Sequence, residues 1–122
     1  MTITVHERTA STLAAIERFS TAFNEHDVDG VMAASTEGCI FENTGPAPDG
    51  ERYEGAAAVQ GFWPRFPAAN PRASFAVEGQ FAAGDRCVVC WRYDWSDGHV
   101  RGVDRFRVRD GLVTDKLCYV KG

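Results

Sequence analysis

The sequence predicts an α+β fold in which three N-terminal helices pack on a curved, mostly antiparallel sheet. Three observations carry that expectation. Apolar residues keep a helical period through the first third of the chain and a period of two after Pro71. Four long alternating runs, "RASFAVEGQFAA", "DRCVVCWRYDW", "HVRGVDRFRVR" and "LVTDKLCYVK", follow one another closely. The segments between them hold Gly84-Asp85, Asp97-Gly98 and Asp110-Gly111, the residue types of tight hairpin turns. Helices gathered on one side of such a meander make an α+β layer, and a long twisted sheet curls around them.

In chain order, Thr4 and Glu7 form a possible capping box, and Val5, Leu13, Ile16, Phe19 and Phe23 give the first helix an apolar face that ends at "NEHD". Asp27 can cap a second, short helix with Val28, Val31 and Met32 on one side and Gly38 at its end. "CIFEN", Cys39 to Asn43, reads as a short strand, and "TGPAPDGERYEG" as an irregular loop. A third helix has Val59, Phe62, Trp63 and Phe66 as its apolar face, with Pro64 kinking or ending it.

The length, 122 residues with 44% hydrophobic and 25% charged, suits a single domain spanning 1–122. A net charge of −4 argues against nucleic acid as a partner, and the arginines at 101, 105, 107 and 109 read as one solvated or subunit-facing side of a strand. No apolar run approaches the roughly 18 residues of a membrane span. The N-terminus lacks a basic segment followed by an apolar one, so a cytoplasmic protein with reduced thiols is expected, with no membrane partner. Cys87 and Cys90 have a metal-like spacing, but on a strand positions three apart face opposite ways, so neither a metal nor another cofactor is expected.

Asp104 is the residue that points to chemistry. Alternation puts Arg101, Val103, Arg105 and Arg107 on one face and Val100, Gly102, Asp104, Phe106 and Val108 on the other, so a carboxylate stands alone on the apolar side. A buried carboxylate needs hydrogen bonds, a partner or a proton. It is expected either as a structural group held by a tryptophan indole or backbone, or as a protonated donor or general base at the floor of an apolar cavity.

Across the first hairpin two turns are open. A two-residue Asp97-Gly98 turn pairs Trp91 with Asp104 and turns Trp91, Tyr93 and Trp95 inward. A three-residue turn pairs Cys90 with Asp104 and brings Arg92 and Asp94 inward instead. Burial favours the first, because Cys87, Val89, Trp91, Tyr93 and Trp95 are the apolar set.

"AFNEHDVDGVMA" leading into "CIFEN", together with "YEGAAAVQGFW" and "RGVDRFRVRDGLVTDKLCYV", resembles the cone-shaped nuclear transport factor 2-like (NTF2-like) superfamily, with its SnoaL-like cyclases, ketosteroid isomerases and limonene epoxide hydrolases. The resemblance implies a pocket between helices and sheet, open near Pro46 to Arg52, and homodimers through the outer sheet face. In the isomerase pattern Asp104 matches the protonated aspartic acid that donates to an oxyanion. Asn43 stands in place of the base and Phe19 in place of the tyrosine, which removes the proton carrier. In the epoxide hydrolase pattern Asn43 matches the asparagine and Arg92-Tyr93-Asp94 the Arg-x-Asp, while Phe41 replaces the tyrosine and Cys118 the final-strand aspartate.

The expected catalytic set is therefore Asp104, Asn43 and Tyr93, with Arg92 and Asp94 as the alternative pair. Phe19, Phe23, Phe41, Trp63, Trp91, Phe106 and Cys118 are expected to contact the ligand; Tyr53 and Phe66 would join the wall or lid. Lys116 shares a face with Cys118 and is read as neutralising nearby acid. The function expected is a cofactor-independent acid/base enzyme of isomerase, cyclase, dehydratase or hydrolase type, acting on an apolar, ring-containing small metabolite. The alternatives are a noncatalytic ligand-binding or assembly dimer, and epoxide hydrolase-like water addition.

Overall fold

The computed structural model describes residues 4–62 and 74–121. Trp63, Pro64 and Phe66 lie outside them. Helix α1, Val5–Asn24, begins as its sequence predicts, with the Thr4 hydroxyl accepting from the Glu7 N–H at 3.0 Å. Its inner face buries Thr12, Ala15, Ile16, Phe19 and Ala22. Two threonines bind it to the first hairpin turn of the meander. Thr12 donates to the Gly84 carbonyl at 2.7 Å, and Thr9 accepts from the Gly84 N–H at 2.9 Å.

Helix α2, Val28–Ala33, is capped by Asp27, which accepts from the Gly30 N–H at 3.0 Å. It ends before Gly38, because strand β1, Ser35–Glu42, starts four residues earlier than the sequence suggests. The Val113 N–H donates to the Ala34 carbonyl at 2.8 Å, and this capture of the chain by the last strand overrides the local glycine signal. The segment read as an irregular loop also differs. It contains a three-residue strand β2, Arg52–Glu54, paired antiparallel to β1 with Tyr53 opposite Phe41. Between them the loop closes on itself through Asn43 N–H to Glu51 O at 2.8 Å and Glu51 N–H to Gly45 O at 3.0 Å. Gly50 has φ +78°, and a Cβ there would lie 1.7 Å from the Asn43 carbonyl oxygen, so only glycine fits.

Helix α3, Ala56–Phe62, leads to the meander of β3 (Ser74–Ala83), β4 (Arg86–Trp95), β5 (Gly98–Arg109) and β6 (Leu112–Val120). The sheet order is β2-β1-β6-β5-β4-β3, antiparallel throughout except for β1 beside β6. The fold is thus the expected α+β one.

The β4–β5 turn is neither of the two considered. Trp95 pairs with Gly98 around Ser96-Asp97, and Asp104 pairs with Val89. Gly98 is thus a strand residue rather than a turn residue, and the Trp95 indole lies across it, 3.0 Å from where a Cβ would stand. Relative to the favoured register the slip is two residues, so every side chain keeps its face. Trp91 and Tyr93 point inward with Asp104. Arg92 and Asp94 point outward and pair with each other at 3.0 Å, half-exposed.

The core gathers around Phe19. Its ring meets Phe41 at 5.7 Å and Phe106 at 5.3 Å between centroids, both edge to face. All three residues are buried, with Ile16, Val31, Val59, Val89 and Val113 around them.

Candidate active site

Above this core, between the last turn of α1, α3 and the inner sheet face, is a cavity of about 310 Å³. Phe23, Phe62, Phe75, Trp91, Tyr93 and Trp95 give it an aromatic wall. Asn43, Thr44 and Gly45 of the self-bonded loop form part of its rim, and Asp104, Lys116 and Cys118 supply its polar patch. A more voluminous groove of about 800 Å³ at the other end of the molecule holds Arg8, Arg107 and Arg109 among Asp85, Asp110 and Asp115. Its charges balance, and it lacks aromatic walls and a buried reactive group. The smaller cavity is the better candidate because it is apolar with a few convergent polar groups.

The β5–β6 register creates the polar patch. Asp104 is opposite Cys118, and Lys116 is opposite Phe106, so Asp104 and Lys116 meet diagonally on the inner face. The Lys116 ammonium is 3.7 Å from the Asp104 carboxylate and donates to the Cys118 sulfur at 2.9 Å, with the lysine side chain 7% and the aspartate 14% exposed. The rings of Phe23 and Phe41 flank the cation at 5.5 and 5.9 Å. Burial alone would lower the pKa of Lys116. The Asp104 carboxylate, with Cys118, more than reverses this and holds it above the ordinary lysine value. Burial pushes the Cys118 thiol up to about 11, only partly offset by the ammonium beside it, so near neutral pH the sulfur keeps its proton. Burial also raises Tyr93.

The Lys116 ammonium beside Asp104 is a feature that the isomerase resemblance does not imply. The indole bond considered for Asp104 is not formed. Among the described residues, Trp91 Nε1 and Asp104 Oδ1 are both buried without a protein hydrogen-bond partner. The site thus presents a cation, a carboxylate oxygen and an indole N–H inside an aromatic enclosure.

Of the residues expected from sequence, Asp104, Asn43, Tyr93, Phe23, Trp91 and Cys118 line the cavity. Phe19, Phe41 and Phe106 do not; they belong to the core beneath it, Phe19 being one helical turn deeper than Phe23. Arg92 and Asp94 are outside. Trp63 lies beyond the described residues. Tyr53 stacks on Phe62 at 4.6 Å, behind the wall. Lys116, Phe75, Phe62 and Trp95 were not identified as site residues from sequence; for Lys116 the available signal was its shared face with Cys118.

Helices packed on a curved, mostly antiparallel six-strand sheet make an NTF2-like architecture, and the comparisons with known proteins agree. The SnoaL-like domain family matches residues 16–116, and the chain belongs to that family. An NTF2-like protein of unknown function from Mesorhizobium loti is 40% identical over 94% of each chain, with a TM-score of 0.83. A candidate ketosteroid isomerase from Kribbella flavida is 22% identical, over 93% of this chain and 80% of its own, at 0.81. A candidate polyketide cyclase from Xanthomonas campestris is 21% identical over 93% of both chains, at 0.74. These last two share the fold. No curated protein matches the chain.

Proposed function

We propose that the cavity takes an apolar, ring-containing small molecule and that the Asp104–Lys116 pair moves a proton on it without a cofactor. The observation that carries this reading is a buried ion pair at the cavity floor whose carboxylate keeps one oxygen, Oδ1, without a protein partner. A carboxylate there can take a proton from a carbon next to a ring carbonyl. The adjacent ammonium stabilises the enolate oxygen that forms, and the proton returns to the same or a neighbouring carbon. Asn43 on the rim and Tyr93 in the wall orient the guest. The names of the ketosteroid isomerase and polyketide cyclase neighbours are consistent with ring chemistry on this fold. Epoxide opening is less well supported, because Arg92 and Asp94 face away from the cavity.

Incubation with ring ketones such as 1-tetralone in D₂O tests the proposal, with deuterium at the α-carbon followed by NMR. Wild type is expected to exchange above the buffer rate, and Asp104→Asn to lose about 10²–10⁴-fold of that acceleration. Binding of the panel without any exchange would favour the noncatalytic ligand-binding protein instead.

The same proposal includes a homodimer through the outer sheet face and residence in the cytoplasm, where thiols stay reduced. Cross-strand register places Phe81, Val88 and Leu117 in one outer row and Cys90, Val103 and Tyr119 in the next. Phe81 is 64% and Tyr119 49% exposed. Apolar rings in this position are suited to burial against a second copy, with Arg101–Glu78 and Arg105–Asp115 pairs beside them. Light scattering is expected to give twice the chain mass of 13.4 kDa for wild type and the single mass for Phe81→Glu/Tyr119→Glu. A wild-type monomer at micromolar concentration would exclude the dimer.

A further inference from the structure

The ion pair is reached from two directions. Besides the main cavity, a slot of about 30 Å³ opens between α1 and β3, bordered by Ser20, Asn24 and Val77 and ending on Trp91, Asp104 and Lys116. We propose that this slot is a water site through which Asp104 exchanges protons with solvent while the main cavity is occupied.

Size and chemistry select the occupant. The slot has room for water, and a buried water needs two to four polar partners. Among the described residues, two of the buried atoms without protein partners, Trp91 Nε1 and Asp104 Oδ1, belong to residues that line the slot. An indole N–H only donates and a carboxylate only accepts, so a molecule that bridged them would accept from one and donate to the other. A metal cation would meet the Lys116 ammonium and the indole N–H, and an anion would meet the carboxylate. Water suits both. On α1, Ser20 and Asn24 are one turn apart beside the apolar Phe19 and Phe23, and they give the slot a polar lip. The main cavity is bounded instead by Asn43, Thr44 and Gly45. The two spaces meet at Phe23, Phe75, Trp91, Asp104 and Lys116 but differ in their rims, so a guest held at the Asn43 rim would leave the Ser20–Asn24 lip free.

The proton role rests on the function proposed above; the water site does not. Once Asp104 holds a proton taken from the guest, exchange with D₂O in the slot gives the deuterated acid and HOD, and the guest receives deuterium. With the slot closed, the proton that was removed is the one returned.

A crystal structure of the wild-type protein is expected to show an ordered water within about 3.2 Å of both Trp91 Nε1 and Asp104 Oδ1. The same structure of Trp91→Phe, which keeps the ring but removes the donor, is expected to lack it. A dry slot, a slot filled by a side chain, or a water that stays in place in Trp91→Phe would overturn the assignment. Ser20→Leu at the lip is expected to lower deuterium uptake by 1-tetralone at least tenfold while leaving its affinity within twofold. Equal uptake would overturn the exchange route. An ordered water in a protein that exchanges no ketone would support the site and defeat the catalytic reading, so the two failures are distinguishable.

Discussion

Replacing Lys116 with methionine is expected to destabilise the folded protein by about 3–5 kcal/mol, because removing one partner leaves a buried charge uncompensated. The lysine side chain is 7% exposed and the aspartate 14%, so solvent can do little to replace the missing ammonium. Asp104→Leu is expected to cost a similar amount, since it strands the cation between Phe23 and Phe41. The double variant Asp104→Leu/Lys116→Met should recover most of the loss or exceed wild type, because well-packed apolar replacements of a buried pair are often neutral or stabilising. Urea denaturation of the four proteins measures the cycle. Additive single effects would mean that the two groups do not interact, and would leave the proposed function without its acid/base pair. A double variant that is stable but no longer exchanges ketone protons would show that the pair is kept for chemistry rather than for the fold.

Phe19→Ala is expected to cost about 3–5 kcal/mol. Phe19 is 1% exposed and its ring touches those of Phe23, Phe41 and Phe106, so truncation opens a void at the centre of the aromatic core. Because Phe19 is below the cavity, the part of the variant that remains folded should bind ring ligands with nearly wild-type affinity. Phe23→Ala, one turn further along α1 and on the cavity wall, should lose affinity and less stability. Melting temperatures and ligand titrations of the two variants separate core from wall. Equal losses of affinity would return Phe19 to the ligand-contact set.

The contrast between these two phenylalanines shows where sequence reading stops. Alternation along a strand and the turn of a helix tell which face a side chain is on, and on that basis Trp91, Tyr93 and Asp104 were placed inward. Placing the turn at Asp97-Gly98 instead of Ser96-Asp97 did no harm, because an even slip preserves faces. Depth in the cone is a different quantity. Phe106 and Val100 share a strand face, yet Phe106 is in the core and Val100 lines the cavity; only the assembled sheet against the helices separates them. Lys116 was legible only as a group neutralising nearby acid; which acid it meets was not, for a related reason. A single cation on a strand has no distinctive pattern, and its meeting with Asp104 requires the β5–β6 register. The early start of β1 and the existence of β2 depend on pairings formed across the sheet, which no local glycine or proline signal reports.

The charge state of Lys116 tests the central claim most directly. The sequence contains two lysines, Lys116 and Lys121, so ¹⁵N-lysine labelling gives a two-signal spectrum in which Lys116→Arg assigns the buried one. Folded Lys116 has a pKa raised above its ordinary 10.5, so it should still be an ammonium at that pH. Its contribution to stability is then fully present below the unfolded value and lost as pH rises toward the folded one. In Asp104→Asn the burial that opposes the charge acts without the carboxylate, and the titration should move down, below the ordinary lysine value. A Lys116 signal that is already a neutral amine at pH 8 in wild type, or one whose titration does not change in Asp104→Asn, would contradict the ion pair on which the proposed chemistry depends.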